Sequence, residues 1–169
     1  MESARFTLGL RMINGKMFDF ARPDLAEYTI EDVARVLAKK GRFGDHTEDF
    51  LSIAEHCCRA HDLYPRNRKG ALMHDAPEFV MGDLITPLKV DCQTFKATEA
   101  LVMADMEFRF EFKEPDALTF KLVDTILFHQ EETFLYRKFN AEKVYDFNVP
   151  IECWSPEKAE AEFLDRFFS

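Results

Sequence analysis

Five histidines occur, at positions 46, 56, 61, 74 and 129, and one of them stands directly before an aspartate in the run ALMHDAPE. Neighbours on a helix point about 100° apart, so His74 and Asp75 cannot share one face. They can converge on an ion at the edge of the helix, where an imidazole nitrogen and a carboxylate oxygen are complementary donors. The commoner fate of such a pair is a buried histidine hydrogen-bonded to its neighbour, so the dipeptide alone decides nothing. Two further residues shift the balance. His56 ends SIAEH in the preceding helical pattern and Asp124 ends KLVD in a later one, both in apolar surroundings. An acid inside FKLVDTILF needs a partner there, and a divalent ion or a salt bridge can supply it.

Around this array lie groups suited to proton and phosphate chemistry. Glu78 comes four residues after His74, but Pro77 disfavours helix at Ala76 and removes a donor, which predicts that Glu78 starts a loop or a new turn. Asp83 follows Gly82 in a non-periodic stretch. The plain alternatives are an exposed glutamate and a capping aspartate. Arg42 and Lys89 are the candidate cations for phosphate oxygens, Lys89 having a solvated lysine as its alternative. Glu131 lies seven residues after Asp124, nearly on the same helix face, where a supporting contact is open to it and to His129. His61, near a helix end, is expected to cap or to face solvent.

The array His56, His74-Asp75, Asp124 resembles the HD superfamily of metal-dependent phosphohydrolases. The resemblance extends through RFGDHT at 42–47, HDAPEFVMGDLITPLK at 74–89 and the segment 124–131, and so covers most of residues 15–135. It looks closest to the compact subgroup of bacterial 5′-deoxynucleotidases and phage dATP triphosphohydrolases. That likeness implies one divalent ion (Mn²⁺, Fe²⁺, Co²⁺, Ni²⁺ or Zn²⁺, with Mg²⁺ allowed) ligated by His56, His74, Asp75 and Asp124. It implies Glu78 and Asp83 near the attacking water, Arg42 and Phe43 as an Arg-aromatic pair at the nucleotide, and His46 at phosphate. The implied activity is hydrolysis of a nucleoside monophosphate or a deoxynucleoside triphosphate at the sugar-attached phosphoryl group. Phosphodiesterase or alarmone hydrolase activity, or a metal-stabilised binding module, are the alternatives. Family members self-associate, so a homo-oligomer is expected.

Helices must position these residues. TIEDVARVLAKKG joins a capping box, Thr29 with Asp32, to apolar residues at helical spacing, and Gly41 is predicted to end that helix. An apolar stripe from Phe50 to Cys58 predicts a helix from Thr47 to about Tyr64, stopped by Pro65; a shorter one is expected over 66–76. GDLITPLKVD at 82–91 reads as a loop. Long helical patterns follow over 91–110 and from Pro115-Asp116 past Phe128, and Ser155-Pro156 caps a last helix over 156–168. At the other end, Asn14-Gly15 within residues 6–20 predicts a tight hairpin. The expectation is one all-α HD-type domain over residues 1–169 with a small N-terminal β-hairpin.

Composition bounds the partner. Twenty-two Lys and Arg against 31 Asp and Glu give a net charge of −9, which repels a long polyanion but leaves room for a small phosphorylated ligand beside a metal ion and a few cations. The 18 phenylalanines are read as core area rather than base-stacking platforms. Cys57, Cys58, Cys92 and Cys153 show neither C-x-x-C spacing nor a disulfide framework, which fits a reducing cytoplasm. No apolar run is long enough to span a bilayer and MESARFTLGL does not resemble a signal peptide, so neither export nor membrane anchoring is expected.

Overall fold

A computed structural model describes residues 9–139 and 150–169 of the chain. It is helical apart from an N-terminal hairpin, as its patterns require. Strands β1 (Gly9–Arg11) and β2 (Met17–Asp19) pair antiparallel, with Leu10 opposite Phe18. Gly15 takes a φ of 82° in the connection, a conformation that a side chain would strain. Asn14 beside it reaches the Glu27 carbonyl and the Asp32 carboxylate at 2.9 and 2.8 Å, fastening the hairpin to the first helix. The predicted hairpin is present, with residues 6–8 outside the described segment.

The helices are α1 (Ile30–Leu37), α2 (Ile53–Leu63), α3 (Arg68–Met73), α4 (Glu78–Met81), α5 (Thr86–Lys89), α6 (Gln93–Arg109), α7 (Ala117–Leu135) and α8 (Pro156–Phe168). The capping box at Thr29 and Asp32 forms as expected, and Asp116 and Ser155 cap α7 and α8. α2 is the central element: it packs against α1, α3, α7 and α8, and its residues from Ile53 to His61 are all buried. One apolar cluster joins Phe18 of the hairpin to α1, α2, α4, α6 and Phe163 of α8. A second joins Ala60 and Tyr64, Ala71 of α3, and Phe120 and Leu127 of α7, and so sets the depth of α7 against α2.

Three expected boundaries move. α1 ends at Leu37 with Ala38 as its cap, so Gly41 does not terminate it. Gly41 instead has an ordinary φ of −85° and pairs with Ser52 in an isolated antiparallel bridge. That bridge draws residues 47–51 out of the second helix, which begins only after Ser52, whose hydroxyl accepts from the Glu55 amide at 3.0 Å. The segment 82–91 is not wholly a loop, since α5 puts a turn of helix in it.

α8 is fastened to α2 by a bidentate ion pair. Arg166 donates to both oxygens of Asp62 at 3.0 and 2.9 Å. Burial alone would raise the Asp62 carboxyl, but Arg166 and His61 outweigh it and hold the group below the usual carboxylate range. A depressed carboxyl stabilises the fold above its unfolded value and loses that contribution as pH falls. Because the pair is partly exposed, 32% at Asp62 and 18% at Arg166, Asp62→Asn is expected to cost about 1 kcal/mol at pH 7. Urea denaturation of parent and variant should converge as pH drops below about 4, the unfolded value for an aspartate. A difference that persists unchanged at low pH would show that the pair contributes through packing alone.

Candidate metal centre and cleft

α2 and the turn after α3 bring two imidazoles together through their Nε2 atoms. His56 is fully buried, with Nε2 3.2 Å from Nε2 of His74. Asp75 Oδ2 lies 3.2 Å from the His74 nitrogen and 3.6 Å from that of His56. Asp124 Oδ1 on α7 approaches His56 Nε2 to 3.8 Å, while its other oxygen pairs with Lys121 at 3.1 Å. All four residues singled out from sequence therefore come together, with His56, His74 and Asp75 the tightest group and Asp124 at its edge.

The far side of each ring is already committed. His74 Nδ1 lies 2.7 Å from the Ala71 carbonyl, which only accepts. His56 Nδ1 lies 2.8 Å from Glu131 Oε1. Burial would raise the Glu131 carboxyl, but His56, Arg42 and Arg59 outweigh it and hold it down at about 2, so it too accepts. Both rings thus carry a proton on Nδ1 and turn Nε2 towards each other, an arrangement that demands positive charge between them. A proton on His74 answers this need in part: burial disfavours the imidazolium, yet the adjacent Asp75 carboxylate holds His74 well above its ordinary value, while Asp75 itself is driven far down. A divalent cation satisfies the same requirement. Donors bound about 2.1 Å from an ion at right angles stand about 3 Å apart, close to the separations found here. The residues present fit a divalent ion, with paired His nitrogens and carboxylate oxygens as the donor set.

Above these donors opens a cleft of about 600 Å³ lined by Asp75 and Asp124, by Glu78 and Asp83, by Arg42, Lys89 and Lys121, and by Leu84, Pro87, Thr125 and Phe128. Glu78 begins a new turn after Pro77, the second of the two fates that proline left open, and it is buried rather than surface-exposed, being only 4% accessible. Its Oε2 has no hydrogen-bond partner among the described residues. Burial, with Asp75 and Asp83 nearby, lifts the Glu78 carboxyl well above its ordinary value, and burial also raises Asp83. A carboxyl raised in this way gives up its proton less readily than a solvated one.

Arg42 is more deeply engaged than its expected role at substrate requires. Its guanidinium lies 3.4 Å from Asp75 and 3.3 Å from Glu131, so it balances the carboxylates under the cleft as well as lining it. Phe43 adopts a φ of 57° and packs against Phe128, with ring centroids 5.4 Å apart, placing it behind the cleft wall. Lys89 lines the cleft and pairs with Glu99 at 2.6 Å. His46 is exposed and is not among the residues lining the cleft; its carbonyl accepts from Tyr136. His61 is buried against Asp62 instead of facing solvent, and His129 is exposed beside Glu132.

Sequence reasoning missed two participants and underweighted a third. Glu131, left open as a supporting contact, is fully buried and accepts from both His56 and Arg59. Arg59 also donates to Gln130 at 2.6 Å; a basic residue one turn after His56 in an apolar stripe was the available signal. Lys121 was legible as the residue three before Asp124, on the same helix face.

No family model matches the chain. An uncharacterized protein of Rhodobacter capsulatus is 40% identical over 89 residues, 47% of this chain and 45% of that protein, so the match spans less than half of the relative's length. The uncharacterized protein YfdR of Escherichia coli K12 is 28% identical over 123 residues, 72% of this chain and 69% of its own. Among the described residues, no helix is long and apolar enough to cross a membrane.

The donor set predicts that metal-free protein takes up one divalent ion, and that alanine at His56, His74 or Asp75 abolishes the uptake. Glu131→Gln keeps all four donors but weakens the hold on the His56 ring, and is expected to reduce metal affinity about 10- to 100-fold. Titration calorimetry with Mn²⁺, Co²⁺ and Zn²⁺ checks both. Undiminished uptake by His74→Ala would remove the centre from this site.

Proposed function

We propose that this protein is a metal-dependent phosphohydrolase of small nucleotides, cleaving at the phosphoryl group attached to the sugar. The observation that carries the reading is the convergence of His56, His74, Asp75 and Asp124 beneath a cleft whose walls hold a buried carboxyl, Glu78, and the cations Arg42, Lys89 and Lys121. The resemblance to HD phosphohydrolases supports it further. A divalent ion held by those four residues supplies Lewis acidity and a lowered pKa for water.

The chain's own residues do the rest. Glu78 Oε2, buried and without a hydrogen-bond partner among the described residues, is suited to take a proton from water as the new P–O bond forms or to give one to the sugar oxygen as the old P–O bond breaks. Asp83, partly buried and raised in the same way, is the second carboxyl available to that transfer. Arg42 keeps the carboxylate-rich floor from repelling an incoming phosphate, because it neutralises Asp75 and Glu131 from below. Lys89 and Lys121 line the cleft and offer point charges to further phosphate oxygens. Leu84, Pro87 and Phe128 give the nucleoside an apolar wall.

A cleft of this size, in a chain of net charge −9, suits one nucleotide better than a nucleic-acid strand. Attack at the sugar-attached phosphoryl group leaves the reacting centre the same for a monophosphate and a triphosphate. The first yields nucleoside and phosphate, and the second yields nucleoside and tripolyphosphate. A cytoplasmic setting and self-association belong to the same reading.

A screen of nucleoside mono-, di- and triphosphates against several divalent metals, run in ¹⁸O-water, tests it. Label is expected in phosphate or tripolyphosphate and not in the nucleoside. A nucleoside diphosphate appearing with labelled phosphate would place the attack at the terminal group and overturn the proposed centre. Glu78→Gln should retain the ion and bind substrate normally while kcat falls about 100-fold or more. An unaltered kcat would take Glu78 out of the chemistry.

A further inference from the structure

α4 is the wall between two spaces. On one side Glu78 and Asp83 face the cleft; on the other, Phe79 to Gly82 line a second, mostly apolar groove of about 330 Å³ beneath the hairpin residues Leu10 to Ile13. The wall is thin. α4 has four residues, its N-cap position is Pro77 with no side-chain capping bond, and it is closed by the Gly82 amide donating to the Glu78 carbonyl at 2.8 Å. One turn of helix does not sustain itself in water, so something outside must hold it. The Glu78 side chain does not do so through Oε2, which has no hydrogen-bond partner among the described residues.

Lys40 supplies the outside support. It enters from the groove side, and its ammonium donates to the carbonyls of Glu78 and Phe79, the latter at 3.1 Å. Carbonyls of a terminal helical turn carry partial negative charge and lack enough partners of their own, which makes an ammonium their natural counterpart. The backbone of Lys40 is itself fixed, since its carbonyl accepts from the Ile53 amide at 2.9 Å at the start of α2. The same residue therefore ties the element carrying Glu78 to the helix carrying His56.

We propose that Lys40 is a positioning residue, whose ammonium fixes the α4 turn from behind and thereby sets where Glu78 and Asp83 stand relative to the His56, His74 and Asp75 donors. The consequence for turnover rests on the function proposed above, whereas the consequence for the backbone does not. The two are measured separately on the full chain, with Lys40→Met to remove the cation and Lys40→Arg to keep a cationic donor.

In the metal-free protein, Lys40→Met is expected to speed amide exchange at Gly82 and across residues 79–81 about 10-fold or more, with α2 and α7 protected as in the parent. Lys40→Arg should exchange close to the parent. With a nucleotide that the parent hydrolyses, Lys40→Met should lower kcat about 10-fold at nearly constant KM and unchanged metal content. Unchanged exchange at 79–82 in Lys40→Met overturns the proposal. Faster exchange that spreads through α2 and α7 also overturns it, by making Lys40 a general support of the fold. Should Lys40→Met not fold, Lys40→Gln takes its place with the same readouts. A parent inactive on every nucleotide would sink the proposed function, and the exchange data would still decide the role of Lys40.

Discussion

The buried carboxylate of Glu131 is the constraint on which the centre of this molecule depends. It lies fully out of solvent on α7 and would be costly there alone, since an isolated carboxylate in the interior pays several kcal/mol of desolvation. It is tolerated because α2 delivers the His56 ring and the Arg59 guanidinium to the same oxygen at 2.8 Å, and Arg42 stands 3.3 Å from the other. This fixes more than charge. Once Glu131 accepts from His56 Nδ1, the ring can turn only Nε2 towards His74 and Asp75, so a contact outside the donor group decides which atom the group presents.

Geometry follows from the same contact. Phe120, Asp124, Leu127 and Glu131 fall at intervals of four, three and four residues and form one inward stripe of α7. Phe120 and Leu127 pack against Ala60, Tyr64 and Ala71. With the apolar members setting depth and Glu131 setting rotation, Asp124 has little freedom except to meet His56. The cost of holding a polar group in the core is offset by the alignment it imposes on a centre assembled from three separate elements.

The cleft shows how an acidic chain can present a surface suited to anions. Its overall charge is −9, yet Arg42, Lys89 and Lys121 all line this one concavity. Each is paired with a carboxylate: Arg42 with Asp75 and Glu131, Lys89 with Glu99, and Lys121 with Asp124. A solitary cation in a half-buried cleft would be destabilised, whereas a paired one is held in place with donors to spare. Glu78 differs in having no ion pair to hold it among the described residues, and its buried Oε2 has no hydrogen-bond partner among them. Local inconsistency of this kind is concentrated where chemistry is expected.

The amino-acid sequence by itself determined the helical architecture, because caps and apolar periodicity are local: Thr29 with Asp32, Asp116 before α7, and Ser155-Pro156 before α8 act within one turn of the backbone. It also determined which residues form the candidate centre, since a histidine-aspartate pair and an aspartate in an apolar run are anomalies visible in one dimension. It did not determine where the second helix starts, because the bridge between Gly41 and Ser52 joins strangers eleven residues apart and overrides the apolar stripe before it. Nor did it separate Arg42, drawn in by Asp75 and Glu131, from His46, four residues on and left at the surface. Tertiary structure decided these, together with the partnership of Glu131 with Arg59 and the grip of Lys40 on α4. A buried charge is placed by whichever opposite charge or carbonyl the packed helices bring within reach, and that pairing is a property of how helices meet, to which no local spacing is bound.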